Sequence, residues 1–232
     1  MRSALWGCPQ TRVNNRAWSY TQRMANAARA LEPTPASASE SSASESNSAE
    51  VEAAYAALPE GTRAILIDGI LEVMGRPKPP HVNVGTQLTI DIGAMFGRGR
   101  GGPGGWIILA EPELHLGKRP DKLSPDLAGW RRERLSELPE GAAFTLPPDW
   151  VCEILSDSTE RVDRLKKSRI YAREGIGHFW ILHPILRTLE VLRNVSGQWL
   201  QVAGFDLEEG DKLIRAEPFD AVELDFEALF RV

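Results

Sequence analysis

Residues 148–184 read as a β-strand, a helix and a second β-strand, and this unit constrains the fold more than any other part of the chain. The apolar run Trp150 to Leu155 has the length of a strand. A helical pattern follows and ends at Gly175, a residue that commonly terminates helices. The uninterrupted apolar run Phe179 to Leu182 then predicts a buried strand. This succession predicts an α/β fold.

A single carboxylate interrupts the first of these apolar strands. Glu153 would be costly to bury unless a cation or hydrogen bonds compensate its charge. On the helix, Asp163, Lys167 and Tyr171 are spaced by four residues and therefore share one broad face. Pairing of Glu153 with an arginine such as Arg164 is a purely structural explanation. A functional site at this strand is the other explanation.

Composition limits the classes of protein that the chain can belong to. Its 232 residues, 42% of them hydrophobic, are enough for one core, and a net charge of −5 at pH 7 argues against coating nucleic acid by bulk charge. The two cysteines, Cys8 and Cys152, do not suggest a disulfide framework. No run approaches the roughly 18 apolar residues of a membrane span. We therefore expect a cytoplasmic protein that does not associate with a membrane.

The first 48 residues differ in composition from the rest of the chain. The segment Pro33 to Glu50 is almost wholly Ala, Ser, Glu, Pro and Asn, which cannot bury enough apolar surface to offset the entropy of ordering. Upstream of it the chain carries several arginines and no acid before Glu32, so a targeting peptide and a nucleic-acid-binding arm are weaker alternatives. We expect a disordered extension at 1–48 and one domain at 49–232.

Hydrophobic periodicity predicts the remaining elements of that domain. Apolar residues from Val51 to Leu58 indicate a short helix, and Asp68-Gly69 between two apolar runs indicates a β-hairpin. Apolar residues spaced by four predict a helix over 81–96. The strands near 106, 124, 150, 179 and 188 are expected to form a mixed central sheet, against which the helices at 81–96 and 160–174 pack.

Two of the predicted strands each contribute one acid, Asp126 and Glu153, and the following helix contributes Lys167 with Lys166 beside it. Carboxylate oxygens are the ligands that Mg²⁺ prefers, and two carboxylates leave coordination positions for water and substrate phosphate. A metal held in this way activates water, and a nearby ammonium stabilises the charge of the transition state. This residue set is typical of phosphodiester cleavage, although a turn at Asp126 and a solvated lysine face would explain the residues individually.

The order of these motifs closely resembles the Uma2 family of restriction-endonuclease-like proteins. The matching segments are Pro125-Asp126, Glu153 to Thr159, Asp163 to Lys167, Tyr171 to Ile176 and Phe179 to Pro184. The similarity extends over roughly residues 50 to 230. It implies an α/β restriction-endonuclease-like core related to the PD-(D/E)xK nucleases. In this branch the motif lysine has moved from the strand, where Leu155 stands here, to the helix.

The resemblance also implies roles for particular residues. Asp126 and Glu153 would bind Mg²⁺ or Mn²⁺, and Lys167 would be the displaced catalytic lysine. His81 and Tyr171 match recurrent family positions and are candidate accessory residues, as is Lys166. The implied activity is that of a divalent-metal-dependent endonuclease that hydrolyses DNA.

Contacts with the DNA backbone are expected from the basic residues of 161–173 together with Arg131, Arg132 and Arg134. Phosphate contacts of this kind position a protein on DNA without reading its sequence. Because many nucleases of this superfamily work as dimers, the resemblance also makes a homodimer plausible.

Two positions depart from the family pattern. Ile65 stands where many relatives have an acid in the first strand, and His183 stands where relatives often have aspartate. Loss of that acid permits an alternative function, a catalytically weakened or inactive nucleic-acid-binding or regulatory module with the same fold. A third possibility keeps the metal site but changes the substrate to RNA or another phosphodiester.

Overall fold

The computed structural model describes residues 49–118 and 121–231, so the extension predicted at 1–48 lies outside the described residues. The helices are α1 (49–56), α2 (Pro79–Ile92) and α3 (Ser168–Arg173). The strands are β1 (Ala64–Ile67), β2 (Ile70–Val73), β3 (Trp106–Ala110), β4 (Glu113–Leu116), β5 (Asp121–Leu123), β6 (Leu127–Arg131), β7 (Ala143–Phe144), β8 (Trp150–Ile154), β9 (His178–His183), β10 (Thr188–Val195), β11 (Gln198–Asp206), β12 (Leu213–Ile214) and β13 (Leu224–Asp225). Further helical turns, of the π or 3₁₀ type, lie at Gly93–Gly97, Val162–Lys167, Leu207–Glu209 and Ala228–Phe230.

A six-stranded sheet forms the centre of the fold, in the order β11-β10-β9-β8-β6-β3. Strands β8 and β9 are parallel, and the other neighbouring strands are antiparallel. The predicted mixed sheet is therefore confirmed, with two differences. Strand β11 also joins it, and the strand expected near 124 begins at Leu127.

The two predicted helices pack against this sheet, and the structure places them on opposite faces. Val84, Leu88 and Ile92 of α2 belong to the hydrophobic cluster on one face. Ile170 and Tyr171 of α3 belong to the cluster on the other face. Helix α2 begins at Pro79, two residues earlier than expected, because proline suits the first positions of a helix.

A five-stranded sheet, ordered β2-β1-β5-β4-β7, lies beside the first. Its hairpin turns at Asp68 and Gly69, whose φ angles of 51° and 75° fit the predicted two-residue turn. Strands β3 and β4 are separated only by Glu111 and Pro112, yet they belong to different sheets. None of the helices within 49–118 and 121–231 is long and apolar enough to cross a membrane.

Close packing around Gly129 in β6 provides a test of the fold. A Cβ atom there would lie 2.9 Å from Cδ1 of Ile108 and 3.1 Å from Cε3 of Trp150. We expect Gly129→Ala to lower the free energy of unfolding by about 1–3 kcal/mol in urea titration. Gly93→Ala is the control: its backbone is helical and nothing lies within 4 Å of the added atom, so that variant should be stabilised by about 0.5–1 kcal/mol. A Gly129→Ala protein as stable as the native chain would contradict this packing.

Candidate metal centre

Asp126, which directly precedes β6, lies opposite Glu153 of the neighbouring strand β8. The antiparallel register pairs Leu127 with Cys152, so its extension by one residue places position 126 across from position 153. The amide of Ile154 donates a hydrogen bond of 2.7 Å to Oδ2 of Asp126 and fixes this carboxylate against β8. Side chains directly opposite each other in an antiparallel pair are close neighbours. The register alone therefore brings the two acids together.

Both carboxylates point toward the face of the sheet that α3 covers. Side chains alternate along a strand, and residues two positions away share a face. Ala128, two residues after Asp126, and Val151 and Leu155, on either side of Glu153, all belong to the cluster that packs against α3. Leu155 is thus a core residue, and the cation for Glu153 must come from the helix.

A π-helical turn at Val162–Lys167 supplies that cation. Nζ of Lys167 lies 2.9 Å from Oε2 of Glu153 and 2.8 Å from Oδ1 of Asp163. The hydroxyl of Tyr171 donates a hydrogen bond of 2.6 Å to Oε1 of Glu153. Turns of this kind are rare and occur frequently at functional sites. The residues spaced by four on the helix therefore converge on the anomalous carboxylate.

Pairing of Glu153 with Arg164, the structural alternative, is wrong. The Arg164 guanidinium lies 2.9 Å from Glu160 and 2.7 Å from Glu190. Lys166, a predicted accessory residue, also lies apart from the site. Its ammonium contacts Glu72 on β2, and its side chain is about one-third exposed.

Burial and charge oppose each other at Glu153 and Lys167. Burial raises the pKa of Glu153 to about 8, although Lys167 and the Tyr171 hydroxyl favour the ionised form. Burial by itself would lower the pKa of Lys167, but the carboxylates of Glu153 and Asp163 outweigh it and raise that pKa. Lys167 is therefore a permanent positive charge, only 5% exposed, inside the site.

The pKa of the other carboxylate, Asp126, is shifted in the opposite direction. Burial alone would raise the pKa of Asp126, but the hydrogen bond and charge of His81 outweigh it and lower the pKa. Nε2 of His81 lies 3.2 Å from Oδ1 of Asp126, and the Arg63 guanidinium lies 3.8 Å from the same oxygen. Two neighbouring acids with pKa values shifted in opposite directions are typical of sites that handle protons and charge.

An open cavity of about 80 Å³ gives access to these groups. Asp126, Glu153, Asp163, Lys167 and His81 all line it. Oδ1 of Asp163 is buried, and its charge is compensated by the Lys167 ammonium at 2.8 Å. The cavity thus contains a third carboxylate beside Asp126 and Glu153, one that is already paired.

Within 49–118 and 121–231, no group of three or more His, Cys, Asp or Glu side chains is placed so that it could hold a metal ion. Mg²⁺ is commonly bound by one or two carboxylates and completes its shell with water and phosphate oxygens. Asp126 and Glu153 fit that requirement.

The structure thus brings together five of the six predicted residues, Asp126, Glu153, Lys167, Tyr171 and His81, and leaves Lys166 outside. The sequence did not predict Asp163 or Arg63 as site residues. Asp163 precedes Lys167 by four residues, so the helical spacing could have indicated that it lies on the same face as that lysine. Arg63 shares a face of the first strand region with Ile65 by the period of two, and both line the cavity. The side chain of Ile65 is buried there and contributes no charge.

Comparisons with known proteins agree with this architecture. No curated protein matches the sequence significantly. The crystal structure of a putative nuclease belonging to DUF820 from Anabaena variabilis ATCC 29413 has a similar fold, with a TM-score of 0.62 and 22% sequence identity over 76% of this chain and 94% of that chain. The sequence model of the Uma2 family, described as a putative restriction endonuclease, matches residues 51–227. The chain therefore belongs to the Uma2 family.

Proposed function

We propose that this protein is a divalent-metal-dependent endonuclease that hydrolyses DNA phosphodiester bonds. One observation carries the proposal: Asp126 and Glu153 face each other across two strands beside a buried lysine, at an accessible cavity. Membership in a family of restriction-endonuclease-like proteins supports nuclease chemistry at this cavity.

Asp126 and Glu153 would hold the metal. A bound Mg²⁺ or Mn²⁺ would neutralise charge on the phosphate and activate water for attack. The Ile154 amide and His81 hold the carboxylate of Asp126, and Tyr171 holds that of Glu153, so both acids are oriented before any ligand arrives. Such preorganisation spares the site from rearranging during the reaction.

Lys167 acts as a source of positive charge and not as a base. Its raised pKa keeps the ammonium protonated at neutral pH, and a protonated amine cannot accept a proton from water. Its position between Glu153 and Asp163 lets it stabilise negative charge that develops on a phosphate at the cavity.

Cleavage of supercoiled plasmid tests the proposal. Purified protein should convert the plasmid to nicked and linear forms with Mn²⁺ or Mg²⁺, and EDTA should stop the reaction. Glu153→Gln, purified in parallel, controls for contaminating nuclease because it removes one ligand charge and retains an acceptor for Tyr171. Equal cleavage by the two proteins would contradict the assignment. Single-stranded DNA and RNA in the same assay would separate a deoxyribonuclease from a nuclease on another phosphodiester.

Two observations favour a second function. The Lys167 ammonium lies 2.9 Å from Glu153 and compensates its charge, and Ile65 places an apolar side chain in the cavity wall. The same fold would then serve as a nucleic-acid-binding module without catalysis. Folded protein that binds DNA but neither cleaves it nor binds Mn²⁺ would support this function and contradict the first.

A further inference from the structure

The helix that was expected to contact DNA offers little free positive charge. Four of its six basic side chains are already paired with acids. Arg164 pairs with Glu160 and Glu190, Lys166 with Glu72, Lys167 with Glu153 and Asp163, and Arg173 with Asp121 and Glu174. A paired cation must leave its acid before it can bind a phosphate. This helix is therefore a poor site for the DNA backbone.

The other predicted basic cluster, Arg131, Arg132 and Arg134, also makes contacts within the protein. The Arg134 guanidinium lies 2.6 Å from Asp149, and the Arg131 guanidinium stacks 4.2 Å from the centre of the Trp106 ring. Arg132 donates a hydrogen bond to the carbonyl of Gly97. These contacts hold the segment after β6 against the protein.

The segment between β2 and α2 carries cations that are more available. Arg76 is exposed, lines the cavity, and forms no ion pair within residues 49–118 and 121–231. Lys78 also lines the cavity, and its one ion pair among the described residues is with Asp157, at 2.7 Å. Both partners of that pair are largely exposed, and such surface pairs are weak. A competing phosphate can therefore displace Asp157.

Prolines limit the motion of this segment. Pro77 follows Arg76 and restricts it to extended backbone conformations, and Pro79 and Pro80 begin α2 directly after Lys78. Little backbone freedom remains to be lost when a ligand binds. Because the segment that carries Arg76 and Lys78 is restrained, it loses less conformational entropy on binding a ligand than a mobile charged loop would.

We propose that Arg76 and Lys78 form a binding site for backbone phosphates of nucleic acid at the mouth of the metal-site cavity. This inference rests on the proposed function, because it supplies the substrate contact of the same site. Within the cavity, the cations of Arg63 and Lys167 are already paired with the carboxylates there and offer little free positive charge to a polyanion. Arg76 and Lys78 supply positive charge at the rim and would hold phosphates beside the scissile one.

Fluorescence anisotropy of a short fluorescein-labelled DNA duplex in EDTA tests the site without cleavage. The double variant Arg76→Gln/Lys78→Gln should bind about tenfold more weakly. The slope of log affinity against log salt should also fall by about two, because each substitution removes one cation that neutralises a phosphate. Arg98→Gln/Arg100→Gln is the matched control. It removes the same charge from exposed residues beyond the other end of α2, and we expect unchanged binding.

A third double variant, Arg161→Gln/Arg169→Gln, examines the two basic residues of this helix that form no ion pair with any acid in the part of the chain that the structure describes. Loss of binding in this variant or in the Arg98 control, equal to that of the Arg76 variant, would overturn the site, as would unchanged binding by the Arg76 variant.

Plasmid cleavage separates this inference from the proposed function. Binding that depends on Arg76 and Lys78 without any cleavage supports the site while the nuclease proposal fails. Cleavage by the native protein, together with DNA binding that is unchanged in the Arg76→Gln/Lys78→Gln variant, would support the nuclease proposal and overturn this binding site.

Discussion

Replacement of Lys167 by methionine is expected to lower the free energy of unfolding by about 3–5 kcal/mol, because it leaves buried acids without their cation. Methionine keeps much of the apolar volume of lysine, so the loss reports charge more than packing. The penalty should be larger at about pH 9 than at about pH 6. With Lys167 in place, burial already raises the folded-state pKa of Glu153 to about 8, and loss of the ammonium raises it further. Above pH 8 the variant must therefore still take up a proton on folding, which costs more as the pH rises, whereas the native protein no longer does. Urea titration at both pH values measures the difference.

Lys166→Met is the matched control for this experiment. The adjacent lysine pairs with Glu72, and both side chains are about one-third exposed. Loss of such a pair should cost no more than about 1 kcal/mol. The double variant Lys167→Met/Glu153→Gln should recover part of the stability, because it removes one buried charge together with its cation. A Lys167→Met protein as stable as Lys166→Met would show that the buried pair is not held as described.

Replacement of Asp126 by asparagine is expected to weaken Mn²⁺ binding about a hundredfold and to abolish metal-dependent cleavage. The asparagine carbonyl can still accept the hydrogen bond of the Ile154 amide, so the strand pair should remain intact. Isothermal titration calorimetry measures the metal affinity, and circular dichroism verifies the fold.

Asp149→Asn provides the same change at an acid outside the cavity. The carboxylate of Asp149 accepts hydrogen bonds from the Arg131 amide and the Arg134 guanidinium. Its replacement should leave Mn²⁺ affinity unchanged. Equal loss in the two variants would mean that Asp126 contributes no more than general negative charge, and the metal centre would have to be placed elsewhere.

The elements of the fold follow from patterns that the sequence displays locally. Alternation and apolar runs identify strands, and a spacing of four identifies α2 through Val84, Leu88 and Ile92. Assignment of strands to sheets depends on contacts distant in sequence. Nothing in the residues around Pro112 shows that β3 and β4 separate into different sheets.

Some residues of the candidate site could be predicted from local patterns, but their ion pairs could not, because those pairs also depend on contacts distant in sequence. A carboxylate inside an apolar strand is unusual wherever it occurs, so Glu153 was recognisable, and the helical spacing identified Lys167 and Tyr171. Charge pairing was not recognisable. A run of basic residues on a helix looks the same whether the residues face solvent or acids, and the partners Glu72, Glu190 and Asp121 come from other strands.

Asp126 and Glu153 lie opposite each other because their strands pair. The distance between the two carboxylates therefore does not depend on the length of the chain that connects the strands. Residues 132–149 connect β6 to β8, but the spacing of the two carboxylates is set by strand pairing and by the Ile154 hydrogen bond. That connection joins the end of the strand pair away from the two acids, and none of its residues lines the cavity. Insertions or deletions within 132–149 would therefore change a distant surface and leave the spacing of Asp126 and Glu153 as it is.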